Sequence, residues 1–90
     1  MSKRVEIKIT GQVQGVFFRQ GAKAEAERLG LTGWIKNEED GSVRIIAEGE
    51  EAQLQKLVEW ARLGTKWAKV EKVEVEWKEA TTESGSFIVR

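Results

Sequence analysis

Apolar residues in the first third of the chain follow the two periods of regular secondary structure. Val5, Ile7 and Ile9 alternate with polar residues, which predicts a strand with one buried face. After a glycine-containing loop, apolar residues recur at spacings of four, four and three, as on one face of a helix: Phe18, Ala22, Ala26 and Leu29. Gly30 predicts the end of this helix, because glycine favours the left-handed conformation that often follows a last turn.

The middle of the chain predicts a hairpin over residues 31–48. Its connecting turn ends in the dipeptide Asp-Gly, which is a strong turn signal. Val43, Ile45 and Ala47 alternate with other residues in the second strand of the hairpin. Gly49 is predicted to end this alternation.

The last third of the chain predicts a second helix and two further strands. The apolar face of the helix holds four residues: Leu54, Leu57, Val58 and Ala61. In the strand that follows, alternation places three residues on one face: Val73, Val75 and Trp77. Val70 is out of phase with them, which predicts a β-bulge or strand start near Glu71. Residues 86–89 predict a short final strand.

These elements follow one another as strand, helix, strand, strand, helix, strand, with the short strand appended. The order predicts one domain over residues 1–90 with a ferredoxin-like α/β sandwich, a mainly antiparallel sheet with both helices on one face. Right-handed crossovers make the first and second strands run in the same direction, with the third between them. Their C-terminal ends then share one sheet edge, which brings the Gly11–Phe18 loop close to Asn37.

The charge balance argues against a polyanionic partner such as nucleic acid. The chain has 15 Lys and Arg and 15 Asp and Glu, so its formal net charge is zero. Proteins that bind polyanions usually carry an excess of basic residues. We interpret the four tryptophans as core and rim packing: Trp34, Trp60, Trp67 and Trp77. Trp77 stands among glutamates, which does not suit stacking on nucleic-acid bases.

The residue types that are missing narrow the possible chemistry. The chain contains no Cys and no His, which excludes disulfides, thiolate nucleophiles, Cys/His zinc sites and histidine acid–base catalysis. We interpret the acidic run at residues 38–40 as a solvated turn, not as a metal site. No run approaches the ~20 apolar residues of a membrane span, and no apolar signal region follows the N-terminus. We therefore expect a cytoplasmic protein without a membrane anchor.

The loop from Gly11 to Arg19 joins the first strand to the first helix and suits an anion. Its glycines let the backbone bend freely, and the start of a helix leaves N–H groups unpaired with a partial positive charge. Arg19 falls in the first helical turn and adds a planar fork of donors. The loop is not a Walker motif, because no Gly-Lys-Ser/Thr follows. Such a loop could hold one phosphate without a metal.

Both candidate site residues also have a purely structural interpretation. The loop could be a simple turn followed by a solvated Arg19, although an arginine in the first turn opposes the helix dipole. Asn37, at the end of the second strand, could cap the backbone of the turn that follows. The residues by themselves leave these interpretations open.

Two segments of the chain resemble the signatures of the acylphosphatase family. Residues 9–19, with the sequence Ile-Thr-Gly-Gln-Val-Gln-Gly-Val-Phe-Phe-Arg, resemble the segment around the catalytic arginine of that family. Residues 33–37, with the sequence Gly-Trp-Ile-Lys-Asn, resemble the segment around its catalytic asparagine, together with three later positions: Gly41, Val43 and Gly49. The resemblance extends over nearly the whole chain.

This resemblance implies the hydrolysis of small-molecule acyl phosphates to carboxylate and phosphate, without metal or cofactor. It implies that Arg19 binds the phosphoryl group and that Asn37 orients the attacking water. It further implies that main-chain amides of five residues help to bind phosphate: Gln14, Gly15, Val16, Phe17 and Phe18. Acetyl phosphate, carbamoyl phosphate and 1,3-bisphosphoglycerate are all candidate substrates. We expect the protein to be a monomer.

Three features depart from the family pattern, and one alternative function stays open. Ile35 is larger than the residue usual there, Gly21 lies early in the first helix, and Thr65 and Lys66 stand where many relatives carry a proline. None of these is a member of the catalytic pair. The alternative is a non-catalytic ferredoxin-like module that uses the same loop to hold a regulatory anion or a partner.

Overall fold

The strands and helices follow one another along the chain in the predicted order. The computed structural model of the chain describes residues 2–81 and 85–90, and Met1 and residues 82–84 of the predicted domain lie outside this range. The described elements are β1 (Ser2–Gln12), α1 (Phe18–Arg28), β2 (Thr32–Asn37), β3 (Val43–Glu50), α2 (Glu51–Leu63), β4 (Lys69–Glu79) and β5 (Phe87–Val89).

The strands form one mixed sheet in the order β4-β1-β3-β2-β5, and the predicted ferredoxin-like sandwich is confirmed. All neighbouring strands are antiparallel except β2 and β5, which are parallel. The α1 helix packs against β2 and β5, and α2 packs against β1, β3 and β4. The apolar positions of strands and helices meet in one core, which includes Val5, Ile7, Ile9, Phe18, Ala22, Ile35, Ile45, Leu54 and Leu57.

The predicted bulge near Glu71 is present, and β1 stays paired beyond it to Gln12. Thr10 pairs with Lys72 but Gly11 pairs with Val70, so Glu71 is the extra residue of β4. Gly11, predicted to lie in the loop, therefore belongs to the strand. Its φ is 132°, and a Cβ at this position would lie 2.2 Å from the main-chain oxygen of Lys69, so only glycine fits the close approach of the two strands.

Two other glycines have roles that depend on their neighbours in the fold. Gly49 does not end β3, because β3 stays paired with β1 to the pair Ser2–Glu50. Gly21 lies in α1, where a Cβ would come within 2.9 Å of the Trp60 ring. The small residue thus allows the indole of α2 to pack closely on α1. Within the described residues, neither helix is long and apolar enough to cross a membrane.

Candidate active site

The loop between β1 and α1, residues 13–17, which we call the cradle loop, has an unusual backbone. Gly15 and Phe17 both adopt the left-handed conformation, with φ of 74° and 64°. Phe17 is the one non-glycine residue with positive φ in the described part of the chain. Such a conformation costs a large side chain of order 1–3 kcal/mol, and it is typical of functional sites. Alternating conformations of this kind make concave nests of main-chain N–H groups, which bind anions.

The start of α1 continues the cradle loop as a row of free donors. The first helical bond runs from the N–H of Gly21 to the oxygen of Phe17, over 3.0 Å. The N–H groups of the three preceding residues, Phe18 to Gln20, therefore have no partner within the helix. Phe17 gives no side-chain cap, and the first turn holds no acidic residue. The positive end of the helix dipole is left for an anion.

Arg19 and Asn37, 18 positions apart in the sequence, line the same cavity. Its volume is about 210 Å³. Six further residues form its wall: Val13, Gly15, Phe17, Phe18, Gln20 and Val89. Gln14 and Val16, which the resemblance includes among the phosphate-binding amides, do not line this cavity. The C-terminal ends of β1 and β2 meet here because β3 lies between two strands of the same direction.

The guanidinium of Arg19 is held from the far end of the chain. Its Nη1 donates to the main-chain oxygen of Arg90 over 3.0 Å. Arg90 is itself fixed, since its N–H donates to the oxygen of Ile35 over 2.8 Å and its guanidinium lies 4.6 Å from the centre of the Trp34 ring. One bond uses one of the five N–H donors of an arginine, so this contact orients Arg19 and leaves a fork for an oxyanion.

The side chain of Asn37 contains an unsatisfied oxygen. Asn37 is the last residue of β2 and pairs with Val43 of β3. Its Oδ1 is buried and has no hydrogen-bond partner among residues 2–81 and 85–90. Buried polar atoms are normally bonded, and an exception calls for an explanation. Here the exception is an acceptor on a residue that lines the same cavity as Arg19.

Gln14 joins the cradle loop to the turn that follows Asn37. Its Nε2 donates to the main-chain oxygens of Glu38, over 2.8 Å, and Ser42, over 2.9 Å. The role of this side chain is therefore a bridge between the two halves of the site. The bridge fixes the distance between the cradle loop and the end of β2.

Asp40 organises the same turn. Its Oδ1 accepts from the Ser42 hydroxyl over 2.6 Å and from the Ser42 N–H over 2.9 Å, and Lys8 lies 3.1 Å from Oδ2. These bonds lower the pKa of Asp40 to about 2. The bond from the Ser42 hydroxyl has the largest effect, followed by the bonds from the Ser42 N–H and from Lys8. The acidic run is thus a structured turn. In the described ranges no group of three or more acidic side chains is placed to hold a metal ion.

The loop between α2 and β4, residues 64–68, contributes contacts that the sequence did not reveal. The Thr65 hydroxyl donates to the oxygen of Val16 over 2.6 Å, and the Trp67 ring lies 5.3 Å from the Phe17 ring. In the sequence, Thr65 stands out only as a departure from the family pattern.

The tryptophans are more exposed than predicted. Trp60 packs edge-on against Phe18, but Trp67 and Trp77 are exposed.

Comparison with known proteins gives matches along almost the entire chain. A family model described as acylphosphatase matches residues 5–89. An acylphosphatase of Salinibacter ruber is 48% identical over 88 residues, which cover 98% of this chain and 93% of that protein. The crystal structure of an acylphosphatase from Bacillus subtilis matches with a TM-score of 0.94 at 36% identity, covering 98% of each chain. The structure of an acylphosphatase from Coxiella burnetii matches with a TM-score of 0.92 at 37% identity, covering 99% of this chain and 93% of that one.

Proposed function

The chain belongs to the acylphosphatase family and is an enzyme that hydrolyses acyl phosphates, and we propose that Arg19 and Asn37 divide the work between them. In this proposal Arg19 and the amides at the cradle loop bind the phosphoryl group, and Asn37 positions the attacking water. One observation carries the division of roles: Arg19 and Asn37 line one cavity at the open start of a helix, and the Asn37 Oδ1 has no hydrogen-bond partner among the described residues.

Phosphoryl binding uses charge that is already in place. The substrate oxygens accept from the main-chain N–H groups of Gln14 to Phe18 and from the Arg19 fork. The Arg90 contact and the Gln14 bridge hold these groups before substrate arrives, so little reorganisation accompanies the build-up of negative charge. Because the cavity is partly enclosed, the interaction between these donors and the developing negative charge is stronger than the same interaction in bulk water.

The chemical step needs neither an acid nor a base from the protein. A water that donates an O–H bond to the Asn37 Oδ1 attacks phosphorus through its oxygen, and the bond between phosphorus and the carboxyl oxygen breaks. The carboxylate leaves with the bonding electron pair, and it is stable enough to need no proton. The water proton passes to a phosphoryl oxygen of the substrate. The products are a carboxylate and inorganic phosphate.

The test is the hydrolysis of benzoyl phosphate by the wild type, Arg19→Gln and Asn37→Ala. We expect each variant to lose about 100-fold or more in kcat/KM, the typical cost of removing a group that acts on the transition state. Circular dichroism verifies that the variants are folded. Arg28→Gln is the matched control, since Arg28 lies in the last turn of α1 and bonds Glu25 instead of the site. Its activity should equal that of the wild type.

Two results would contradict the proposal. Folded Arg19→Gln or Asn37→Ala with near-normal turnover would remove the assigned roles. Loss of wild-type activity in EDTA would contradict the metal-independent step, because we expect kcat/KM to be unchanged by the chelator. Phosphate binding without any turnover would instead favour the alternative, a binding module for a regulatory anion.

A further inference from the structure

Two exposed aromatic side chains stand at the rim of the cavity. Phe17 is 61% exposed and Trp67 is 56% exposed. Their ring centres are 5.3 Å apart and their planes are inclined by 58°. The Lys66 ammonium lies 4.8 Å from the centre of the Trp67 ring. We call Phe17 and Trp67 together the aromatic shelf.

The fold does not account for these two side chains. Neither belongs to the buried core, whereas the neighbouring Phe18 is 1% exposed within it. The left-handed backbone at position 17 suits glycine better than phenylalanine, so the conformation needed by the cradle loop does not explain the large ring. Exposed apolar surface beside a polar site is typical of surface that binds a ligand.

The size of the cavity indicates which part of a substrate reaches the shelf. At about 210 Å³ it is smaller than the ~300–1,000 Å³ typical of pockets that enclose whole ligands. Arg19 and the helix start fix the phosphoryl group at its charged wall. The acyl group must then leave the cavity across its rim, and Phe17 both lines the cavity and contacts Trp67. The shelf is therefore continuous with the phosphoryl site.

We propose that the aromatic shelf binds the acyl group of the substrate and that it selects acyl phosphates with a planar aromatic acyl group. A flat ring can stack or pack edge-on against Phe17 and Trp67, whereas an acetyl group is too short to cover them. This inference rests on the proposed function, because the phosphoryl group must occupy the Arg19 end for the acyl group to reach the shelf.

The experiment measures kcat and KM for benzoyl phosphate and acetyl phosphate in the wild type, Trp67→Ala, Trp67→Phe and Trp77→Ala. Trp67→Ala should raise the KM for benzoyl phosphate about three- to tenfold, the contribution of one aromatic contact. Its kcat should stay within about twofold, because contact with the acyl group is the same in ground state and transition state. The KM for acetyl phosphate should rise much less. Trp67→Phe, which keeps a ring, should recover most of the difference.

Trp77→Ala is the matched control, because Trp77 is also exposed but pairs with Val5, at the opposite end of β1 from the cradle loop. It should leave the ratio of the two KM values unchanged. An equal rise of both KM values in Trp67→Ala, or no rise, overturns the shelf while the hydrolase function stands. A wild type that hydrolyses neither substrate overturns the proposed function itself, and the shelf with it.

Discussion

Phe17 and Asn37 each carry a local cost at the candidate site. Phe17 has a backbone conformation that disfavours large side chains, and Asn37 keeps a buried oxygen without a partner among the described residues. Both residues line the same cavity, and the stability of the surrounding fold offsets their unfavourable free energy. This agrees with a site whose donors and acceptors are set before substrate binds.

Asp40 provides a test of how the turn beside Asn37 is held. Its pKa is lowered from 3.8 to about 2, so the carboxylate stabilises the folded state above pH 3.8 and loses this effect as the pH falls towards 2. Asp40→Asn should therefore lower the urea midpoint at pH 7, and the difference from the wild type should shrink between pH 4 and pH 2. Glu39→Gln removes a charge one position earlier and is the control. A difference that stays constant with pH would contradict the role of the Asp40 carboxylate.

The sequence predicted individual residues where the signal is local. The glycines, the helix start and Arg19 lie within one short segment, and the out-of-phase Val70 placed the bulge at Glu71 correctly. The partners of Val16 and Phe17 could not be predicted in this way. Thr65 and Trp67 are about 50 positions away from them, and only the packing of α2 brings them there. The periodicity and spacing of residues in the sequence do not predict a contact between two distant loops.

At the scale of elements, the cradle loop is held from two sides. Gln14 ties it to the turn between β2 and β3, and Thr65 ties it to the loop between α2 and β4. Both ties end on main-chain oxygens. The Thr65 bond acts directly on the backbone of the cradle loop at Val16, and the backbone is the part that binds the anion in the proposed function, whereas the Gln14 side chain anchors the loop to the backbone of the turn. The loop thus keeps its shape although it lies at the edge of the sheet.

Thr65→Val removes one of these ties while keeping the shape of the side chain. The oxygen of Val16 loses its donor, and we expect a loss of about 1–2 kcal/mol in the free energy of unfolding. The looser loop should also bind inorganic phosphate more weakly, seen as a higher inhibition constant against benzoyl phosphate. Thr65→Ser keeps the hydroxyl and should restore phosphate inhibition. If Thr65→Ser and Thr65→Val behave alike, the hydroxyl does not position the loop.

Element boundaries were predicted less well than element order. Pairing between neighbouring strands extends β1 through Gly11 and β3 through Gly49, although both glycines are local signals for a break. The tertiary contact overrides the local preference, since a strand continues as long as its partner supplies bonds. The order of elements was predicted correctly because it depends on the period of apolar residues over longer segments.

At the scale of the whole molecule, β4 and β5 lie at opposite edges of the sheet, and a polar contact joins Thr81, just after β4, to β3. Two residues after β4, Thr81 donates through its N–H and hydroxyl to Glu48 of β3, over 3.0 and 2.6 Å, and Arg4 adds a third bond of 3.0 Å. Burial raises the pKa of Glu48, but the bonds from Thr81 and Arg4 outweigh it and hold the pKa below the usual 4.5. Beyond this contact lies β5, which leads to the Arg90 oxygen that holds Arg19.

Glu48→Gln should weaken this arrangement. The lost charge-assisted bonds are expected to reduce the free energy of unfolding by about 1–3 kcal/mol at pH 7. Because the pKa of Glu48 is lowered in the folded state, its stabilisation is present above pH 4.5 and fades as the pH falls below that value. Urea unfolding at pH 7 and pH 3 measures both effects. A variant as stable as the wild type at pH 7 would show that the contact is incidental.

Monomeric state, cytoplasmic location and the lack of a nucleic-acid partner stay predictions from composition and charge. They concern the molecule as a whole, and size-exclusion chromatography with light scattering measures the first of them directly. The zero net charge gives the chain no long-range field that would favour association with a polyanion.

The Asn37 Oδ1 has no partner among the described residues, so stability and the proposed role in turnover make opposite demands on position 37. An apolar side chain there avoids the desolvation of a buried amide, which costs about 1–3 kcal/mol when the bond is not made. Selection for stability alone should therefore drive position 37 away from asparagine, whereas in the proposed function selection for catalysis retains it. A laboratory library of this protein screened by heat without an activity assay should enrich inactive substitutions at position 37 early.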